Sequence, residues 1–513
     1  MTRRGRIVLI AIFLGLGAAI AGTSALVTLV PGLWGPGAAR KPLRPRLDPR
    51  GPYLVLVSRA AEADYAAAVA QARRLHPQAA CETFDPADLD AAAQRLRAAK
   101  PRYALVLLKP DELDVNFAWR WLQVCCRVDD DPFVDVRTGF VTGETPAAAA
   151  ALLERTADAV AGRLTMPAAA VDNLGPNTVA PETAFARSGG SFMIPVLSER
   201  FALMTISHGT RGFARERLGS MDGAGLLHFG GHGYPDRIVD CLNGPFVRQL
   251  QTAPCVVFNG ACYTGVTDRW FDLASGKVAE RRVPARECFC LGLLAGRAVG
   301  YLAALHPDHG VPVYQEMERL ATTGDSLGDL LKHTHDGVVL GSGGGLPAFE
   351  TFADGAPAPA WTPTEFMLKG TAARVLFGDP ALIVTDAFTA PPFDVTVAPE
   401  GDALRATAVL RNAALKATFT DTYHPDLASD PNGFNDRALV SVPLPEGWSR
   451  VTQVEVVGVE AGGQALKHRL VGFGVETDGD ARTCHVQVDL PSTGYMQSPF
   501  RRAGSTVTLR LRR

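Results

Sequence analysis

Short apolar runs alternate with Ala-rich stretches of helical spacing through residues 52–390. Each run is continuously apolar, which is typical of parallel strands that are buried on both faces of a sheet. The runs lie at residues 53–57, 103–108, 226–229, 255–258, 298–303 and 374–376. The stretches between them predict helices at residues 60–75, 86–99, 147–164, 288–297, 313–322 and 326–337. This order predicts an α/β fold with a mostly parallel sheet flanked by helices.

Two segments of the same region carry Gly and Pro in place of a periodic pattern. Residues 165–195 are therefore expected to form a loop, and residues 341–364 a loop that covers one face.

The pattern changes near Pro391, where short runs of alternating apolar and polar residues begin. These runs lie at residues 394–397, 404–410, 437–442, 451–459, 484–490 and 505–511. Alternation of this kind, broken by turn residues, predicts half-buried antiparallel strands and a C-terminal β-sandwich.

The N-terminus has the layout of a secretion signal or a signal anchor. Residues 7–30 carry no charge and follow three Arg, and this length can cross a bilayer at ~20 residues per span. The apolar core is long for a cleaved signal, which favours an uncleaved anchor. Basic residues between positions 40 and 50 outnumber those before the span. By the positive-inside rule alone, this opposes a topology with the N-terminus in the cytoplasm. The signal-like layout still favours export, so we expect an inner-membrane anchor with the main domain outside the cytoplasm, or secretion if the signal is cleaved.

These features divide the 513 residues into four parts. They are a signal anchor or signal peptide (1–35), a Pro/Gly-rich linker (36–51), an α/β domain (52–390) and a β-sandwich domain (391–513). The net charge of −2 gives no indication of nucleic-acid binding. The nine cysteines are an odd number, so at least one thiol is left unpaired.

Candidate chemistry follows two of the apolar runs. Gly230-Gly231-His232-Gly233 comes after one run, and Asn259-Gly260-Ala261-Cys262-Tyr263-Thr264-Gly265 comes after the next. In open α/β sheets, ligands bind outside the carboxyl ends of the strands. The spacing fits one crossover between adjacent parallel strands. Since a thiol becomes a strong nucleophile when an imidazole takes its proton, Cys262 and His232 are the candidate nucleophile and general base.

This order of motifs resembles the caspase, legumain, separase and gingipain clan of cysteine peptidases, and within it the gingipain family. Three further segments carry the resemblance: residues 129–139 followed by Thr145-Pro146, Gly324-Asp325-Ser326-Leu327-Gly328, and Phe377-Gly378-Asp379-Pro380-Ala381-Leu382. It covers roughly residues 50–390. One departure is that the family's Gly-Arg dipeptide is Gly139-Phe140 here, so no role of that Arg is carried over.

The resemblance implies a caspase-haemoglobinase-like sheet and an immunoglobulin-like C-terminal domain. It also implies an oxyanion hole formed by the backbone amides of Gly233 and Cys262, and it implies no organic cofactor.

The remaining candidate residues surround this pair. An acid that orients His232 is expected, and Asp131, Asp135 and Asp236 are all open as candidates. In an extended strand His228 shares a face with His232 and could line the pocket. Tyr263, which follows Cys262 directly, is the second candidate for the pocket.

Three sets of residues have the chemistry of metal ligands. The run at residues 129–131 could bind a structural calcium, which prefers oxygen ligands. Zinc is disfavoured at His228 with His232, because Gly230 and Gly231 disfavour a helix there. It is also disfavoured at the set Cys288, Cys290, His306 and His309, because two helix residues spaced by two do not face the same side.

The sequence thus predicts a membrane-anchored or exported cysteine endopeptidase that acts on protein or peptide substrates and binds no nucleic acid. Two alternatives stay open: a catalytically degenerate envelope protein that serves as a binding or adhesion module, and a transpeptidase that uses the same Cys-His dyad.

Overall fold

A computed structural model describes most of the chain. The described residues are 41–174, 202–207, 223–238, 242–249, 254–308, 312–386, 392–411, 417–419, 436–478, 481–491, 499–500 and 502–513. Among these residues, no helix has the length and apolar character needed to cross a bilayer. The predicted anchor at residues 7–30 lies outside the described residues.

A ten-stranded sheet forms the centre of the α/β unit. Its strands in chain order are β2 (Tyr53–Ser58), β3 (Ala80–Phe84), β4 (Tyr103–Leu107), β5 (Arg137–Val141), β6 (Ala169–Leu174), β7 (Ala202–Ser207), β8 (Leu226–Phe229), β12 (Cys255–Asn259), β15 (Ala298–Ala304) and β16 (Arg374–Gly378). Their spatial order is β3-β2-β4-β5-β16-β15-β12-β8-β6-β7. The neighbouring pairs among β3, β2, β4 and β5 are parallel, and so are those among β15, β12, β8, β6 and β7, whereas β16 and β15 are antiparallel. A large and mostly parallel sheet is therefore present, as predicted.

The carboxyl ends of β4 and β12 meet at the same edge of this sheet. The hydroxyl of Thr267, in the loop after β12, donates to the carbonyls of Pro110 (2.7 Å) and Leu113 (3.4 Å), in the loop after β4. The residues that precede β4 and β5 therefore lie at the opposite edge.

Helices cover both faces of the sheet. They are α1 (Ala66–Leu75), α2 (Leu89–Ala99), α3 (Val115–Cys125), α4 (Pro146–Val160), α5 (Gly244–Val247), α6 (Phe289–Ala295), α7 (Pro312–Thr322), α8 (Leu327–Gly341) and α9 (Pro363–Ala372). The alternating side chains of β2 show the layering: Leu54 and Leu56 pack in one core with α2 and α3, and Val55 packs in another with α1 and α4. Burial on both faces explains why these strands are continuously apolar.

Local sequence signals set where several helices begin. Thr145 accepts a hydrogen bond from the Ala148 amide and precedes Pro146, the first residue of α4. Ser326 caps α8 in the same way by accepting from the Asp329 amide. Such caps satisfy amides that have no partner within the helix.

The C-terminal region forms two antiparallel sheets. One consists of β18 (Phe393–Glu400), β19 (Ala403–Leu410), β26 (Thr506–Arg512), β22 (Gln453–Ala461) and β23 (Gln464–Ala465), and the other of β20 (Ala417–Phe419), β21 (Asp436–Pro443), β25 (Ala481–Leu490) and β24 (Arg469–Asp478). Buried residues of both sheets, such as Ala406, Val440 and Val486, share one hydrophobic cluster. Antiparallel strands were predicted here, and each of the six runs forms one.

Two predicted loops contain regular structure. Within residues 36–51, predicted as a linker, β1 (Arg46–Leu47) pairs antiparallel with β17 (Leu382–Ile383), and Leu43 bridges to Met166. Leu43 and Leu47 in this stretch pack against the hydrophobic core of the α/β unit. Within residues 165–195, β6 adds to the central sheet between β8 and β7.

Candidate functional site

His232 lies just past the carboxyl end of β8. The chain turns at Gly231, whose φ of +111° is a conformation that glycine adopts readily. It then enters a short antiparallel hairpin of β9 (Gly233–Tyr234) and β10 (Arg237–Ile238), to which β11 (Leu242–Asn243) adds. His232 is exposed, whereas Gly233 is buried. The imidazole is therefore accessible at the edge of the sheet where ligands are expected.

Cys262 lies at the same edge on the neighbouring strand. β8 and β12 are parallel and in register from Leu226 with Val256 to Phe229 with Asn259. The prediction that the His and Cys motifs follow adjacent strands is confirmed. The segment between these strands contains the hairpin and the one-turn helix α5, which is shorter than the crossover helix typical of such a unit.

A buried hydrogen-bond network fixes the loop that carries Cys262. The Asn259 side chain accepts from the Ala261 amide (2.8 Å) and donates to the Tyr301 hydroxyl (3.0 Å). That hydroxyl donates to the carbonyl of Thr264 (2.9 Å), and the Thr264 hydroxyl donates to the carbonyl of Ala261 (2.8 Å). Both ends of the turn are thus tied to β12 and β15, which holds the backbone around Cys262 in one conformation.

Gly233 packs directly against the Cys262 loop. A Cβ atom at position 233 would lie 2.8 Å from the Cβ of Ala261 and still closer to the carbonyl oxygen of Cys262. No real side chain tolerates such contacts with backbone, so only glycine fits. The Gly233 backbone is also one of the groups that oppose the rise of the Cys262 pKa caused by burial.

The Cys262 thiol is half-buried and protonated at neutral pH. Burial raises its pKa to about 11, although hydrogen bonds with the backbone of Asp308, Cys262 and Gly233 oppose the rise. The thiol donates to the carbonyl oxygen of Asp308 (3.2 Å). No helix begins after Cys262 to lower this pKa, because the chain continues into the hairpin of β13 (Arg269–Asp272) and β14 (Ala279–Arg282). A base is therefore needed to form the thiolate.

Tyr263 holds a backbone conformation that is unusual for a residue with a side chain. Its φ is +61°, in the left-handed region, which costs on the order of 1–3 kcal/mol. Its ring packs edge-on against Trp270 (4.9 Å between centroids) and His306 (5.9 Å). The strained turn gives the chain its sharp reversal directly after Cys262. That Tyr263 lines a substrate pocket stays a prediction.

Sequence reasoning missed a buried charge cluster behind Cys262. Arg374, at the start of β16, donates to both carboxylate oxygens of Glu316 (2.6 and 2.8 Å) and to the carboxylate of Asp308. It also donates to the carbonyl of Asn259 (3.1 Å). These residues are far apart in the chain and no local motif marks them, so the sequence held no signal for this cluster.

The candidate orienting acids have other partners. Asp236 lies in the hairpin that follows His232, and its carboxylate pairs with Arg237 (2.8 Å). Asp135 accepts from the amides of Val128 (3.1 Å) and Asp129 (3.4 Å) just before β5, at the edge of the sheet opposite to Cys262.

Asp131 lies in the same loop as Asp135 and accepts from the amides of Phe133 (2.9 Å) and Thr477 (2.8 Å). The structure therefore separates Asp131 and Asp135 from His232 by the length of the strands. Of the three candidate acids, only Asp236 lies at the same edge of the sheet as His232.

His228, predicted as a pocket residue, is 2% exposed within β8 and does not reach the surface on which His232 lies.

The acidic loop is the candidate cation site among the described residues. Carboxylate oxygens of Asp129, Asp131 and Asp135 all lie within 4.8 Å of one another. The disfavoured zinc set is not assembled in the part of the chain that the structure describes. Cys288 is buried and donates to the carbonyl of Val266 (3.1 Å), and His309 lies outside the described residues. The eight described cysteines are all free thiols.

Comparisons with known proteins give a likeness to solved structures only. No protein-family model matches the chain, and no curated protein shows a significant match. Among solved structures, the chain is similar to one titled "Structure of Protease", with a TM-score of 0.44 and 8% sequence identity over 87% of this chain and 95% of that one. A TM-score of this size does not by itself establish a shared fold.

Proposed function

We propose that this protein is a cysteine endopeptidase in which Cys262 is the nucleophile and His232 the general acid and base. The observation that carries the proposal is the packing of Gly233 against the Cys262 loop at the ligand-binding edge of the sheet. This packing supports a pairing of the exposed His232 imidazole with the half-exposed Cys262 thiol, because each residue follows a strand that ends at this edge.

The reaction begins with transfer of the Cys262 proton to His232, because burial keeps the thiol protonated. The thiolate sulfur attacks the carbonyl carbon of the scissile peptide bond and forms a tetrahedral oxyanion. Collapse of this species breaks the C–N bond, and His232 gives its proton to the leaving amine. His232 then takes a proton from water, which hydrolyses the thioester and returns the thiol.

The backbone amides of Gly233 and Cys262 would donate to the developing oxyanion. The close packing of Gly233 against the Cys262 loop supports this role, since the oxyanion forms next to the attacking atom. Each such donor is typically worth about 3 kcal/mol in the transition state. No organic cofactor takes part, and a calcium ion at Asp129, Asp131 and Asp135 would have a structural role only, because that loop lies at the far edge of the sheet.

Further proposals concern the whole chain. Residues 7–30 would anchor the protein in the inner membrane with the α/β unit outside the cytoplasm, or would be cleaved to release it. The two C-terminal sheets would form an immunoglobulin-like sandwich. These proposals rest on the sequence pattern and on the gingipain resemblance.

A binding or adhesion module is the second candidate function. It is favoured by the raised pKa of Cys262, which keeps the thiol unreactive until a base approaches, and by the pairing of Asp236 with Arg237 instead of His232. A transpeptidase would form the same thioester and pass it to an amine instead of water.

The full-length protein, assayed in detergent under reducing conditions with and without calcium, tests the proposal. A fluorogenic peptide library varied at P1 should be cleaved by the parent and by Cys81→Ala, which removes another partly exposed thiol. Cys262→Ala should show no cleavage. Absence of cleavage by the parent, or equal cleavage by Cys262→Ala, would contradict the proposal and favour the binding module.

A further inference from the structure

The chain that follows His232 displays an aromatic side chain on the surface. Exposed and buried residues alternate from position 232 to position 235: His232 and Tyr234 are exposed, and Gly233 and Pro235 are buried. In an extended chain a period of two places His232 and Tyr234 on the same face, roughly 7 Å apart along the strand. The outward face of β9 therefore continues from the proposed general acid to a phenol ring.

Tyr234 is well exposed for a residue of its size. Among the described residues, two large hydrophobic side chains are exposed: Tyr234 at 43% and Val457 of β22 at 38%. A single exposed apolar side chain needs no explanation by itself. What distinguishes Tyr234 is its position on the face of His232, because an exposed ring offers a large contact area at a small cost in conformational entropy.

The turn of the hairpin holds this ring in place. The carbonyl of Pro235 accepts from the amide of Phe289, at the start of α6 (2.9 Å). The carbonyl of Asp236 accepts from the amide of Gly244, at the start of α5 (2.9 Å). Because the turn is tied to two helices, Tyr234 is displayed on a fixed support.

The charges next to the ring compensate each other. The guanidinium carbon of Arg237 lies 4.4 Å from the centroid of the Tyr234 ring, and the guanidinium pairs with the Asp236 carboxylate at 2.8 Å. Since the cation and the anion offset each other, this surface favours an apolar or aromatic substrate side chain over a charged one.

The proposed mechanism determines which half of a substrate meets this face. The acyl half is held on the Cys262 sulfur, whereas His232 gives its proton to the leaving amine. The amine half must therefore pass over His232. An extended segment covers about 3.3 Å per residue, so its first two residues reach as far as Tyr234.

We propose that Tyr234 determines specificity on the amine side of the scissile bond and selects a large apolar or aromatic side chain at P1′ or P2′. The proposal rests on the function proposed above. The substrate side chain packs on the exposed part of the Tyr234 ring, which removes apolar surface of both from water. Glycine at these positions gains no such contact.

The test uses the full-length protein in detergent and quenched fluorescent peptides with one fixed sequence before the scissile bond. The P1 residue is the one that the P1 library selects. The parent should cleave a peptide with Leu or Phe at P1′ and P2′ with a kcat/KM at least about tenfold above that of a peptide with Gly at both positions. Tyr234→Ala should lose most of this preference, and Tyr234→Phe, which keeps the ring, should retain it.

A methyl ester of the same acyl sequence separates substrate contact from chemistry. Its leaving group, methanol, carries no side chain, so Tyr234→Ala and the parent should hydrolyse the ester at similar rates. The matched control is Val457→Ala, which truncates the other exposed large apolar side chain. It lies in the C-terminal region and should leave the preference at P1′ and P2′ unchanged.

The outcomes separate this inference from the proposed function. Cys262-dependent cleavage with no preference or a charged preference at P1′ and P2′, or a Tyr234→Ala variant that keeps the apolar preference, would overturn the role of Tyr234 and leave the peptidase intact. An equal loss on the peptide and on the methyl ester would also overturn it, because the substitution would then act through His232. Absence of Cys262-dependent hydrolysis of both the peptides and the ester would overturn both proposals.

Discussion

Single residues around Cys262 set what the site can do. The thiol is protonated and donates to the Asp308 carbonyl, so its reactivity depends on an approaching base and not on a lowered pKa. Gly233 is the residue with the least freedom to change, because the Cys262 carbonyl and Ala261 occupy the space that a side chain would need. The sequence pointed to His232 and Cys262 through their motifs, and it could not show how closely Gly233 packs against the Cys262 loop.

Gly233→Ala should reduce kcat/KM by at least about a hundredfold, because the new methyl group forces the amide away from the position of the oxyanion. Steady-state kinetics on a cleaved peptide measure the effect. The matched control is Gly223→Ala, since a Cβ there meets nothing within 4 Å. Equal activity of the two variants would mean that the Gly233 amide does not stabilise the transition state.

At the scale of the elements, buried charges join strands and helices that are distant in the sequence. Arg374 at the start of β16 pairs with Glu316 of α7 and with Asp308, and donates to the end of β12. These interactions fix the strand that carries the Cys262 loop relative to its neighbours. Local patterns cannot predict them, because they arise only when the sheet is assembled.

Arg374→Met should lower the free energy of unfolding by about 3–5 kcal/mol, since two buried carboxylates lose their cation. Arg374→Lys should recover part of this loss but not all of it, because one ammonium cannot reproduce the geometry of a guanidinium fork. Urea denaturation followed by circular dichroism gives both values. A decrease in the free energy of unfolding of less than about 1 kcal/mol for the Met variant would show that the charge cluster does not stabilise the fold.

Elements with strong periodicity were predicted well. The runs at residues 226–229 and 255–258 form strands with nearly the predicted ends, because burial on both faces leaves a continuous apolar pattern. Helix α3 was missed, since its aromatic and apolar residues are buried on most sides and leave no polar face. Strand β6 was missed because its sequence, Ala169–Leu174, mixes small and polar residues.

At the scale of the whole molecule, the C-terminal sheets pack on the α/β unit away from Cys262. Lys332 of α8 forms ion pairs with Asp336 in its own helix (2.5 Å) and with Glu476 of β24 (2.8 Å). Asp131 accepts from the Thr477 amide (2.8 Å) at the edge of the central sheet opposite to the site. The loop that carries Asp129, Asp131 and Asp135 therefore contacts the C-terminal region. Protonation of its carboxyl groups can for this reason affect the stability of the folded molecule.

The carboxyl group of Asp135 should make the protein less stable as the pH rises from about 4 to about 7. Burial, with a smaller effect of Asp129, raises its pKa to about 7, so the folded state keeps a proton that the unfolded state has released. The destabilisation that comes from ionising the buried Asp135 carboxyl is absent below the pKa of this group in the unfolded chain. It is complete above pH 7. Asp135→Asn should therefore raise the melting temperature at pH 8 and leave it nearly unchanged at pH 4.

Asp90→Asn, a substitution of an exposed carboxylate in the first turn of α2, serves as the control and should show no such difference. An Asp135→Asn variant with the same gain at both pH values would show that the Asp135 carboxyl is not held protonated in the folded state.

Covalent labelling of the nucleophile tests the central claim most directly. A peptidyl acyloxymethyl ketone would be incubated with the full-length protein, and the modified residue would be located by mass spectrometry of its peptides. The account predicts one adduct on the sulfur of Cys262, strongly slowed in His232→Ala and absent in Cys262→Ala. An adduct on Cys81 at a similar rate, or no adduct on Cys262, would contradict a nucleophilic role for this thiol.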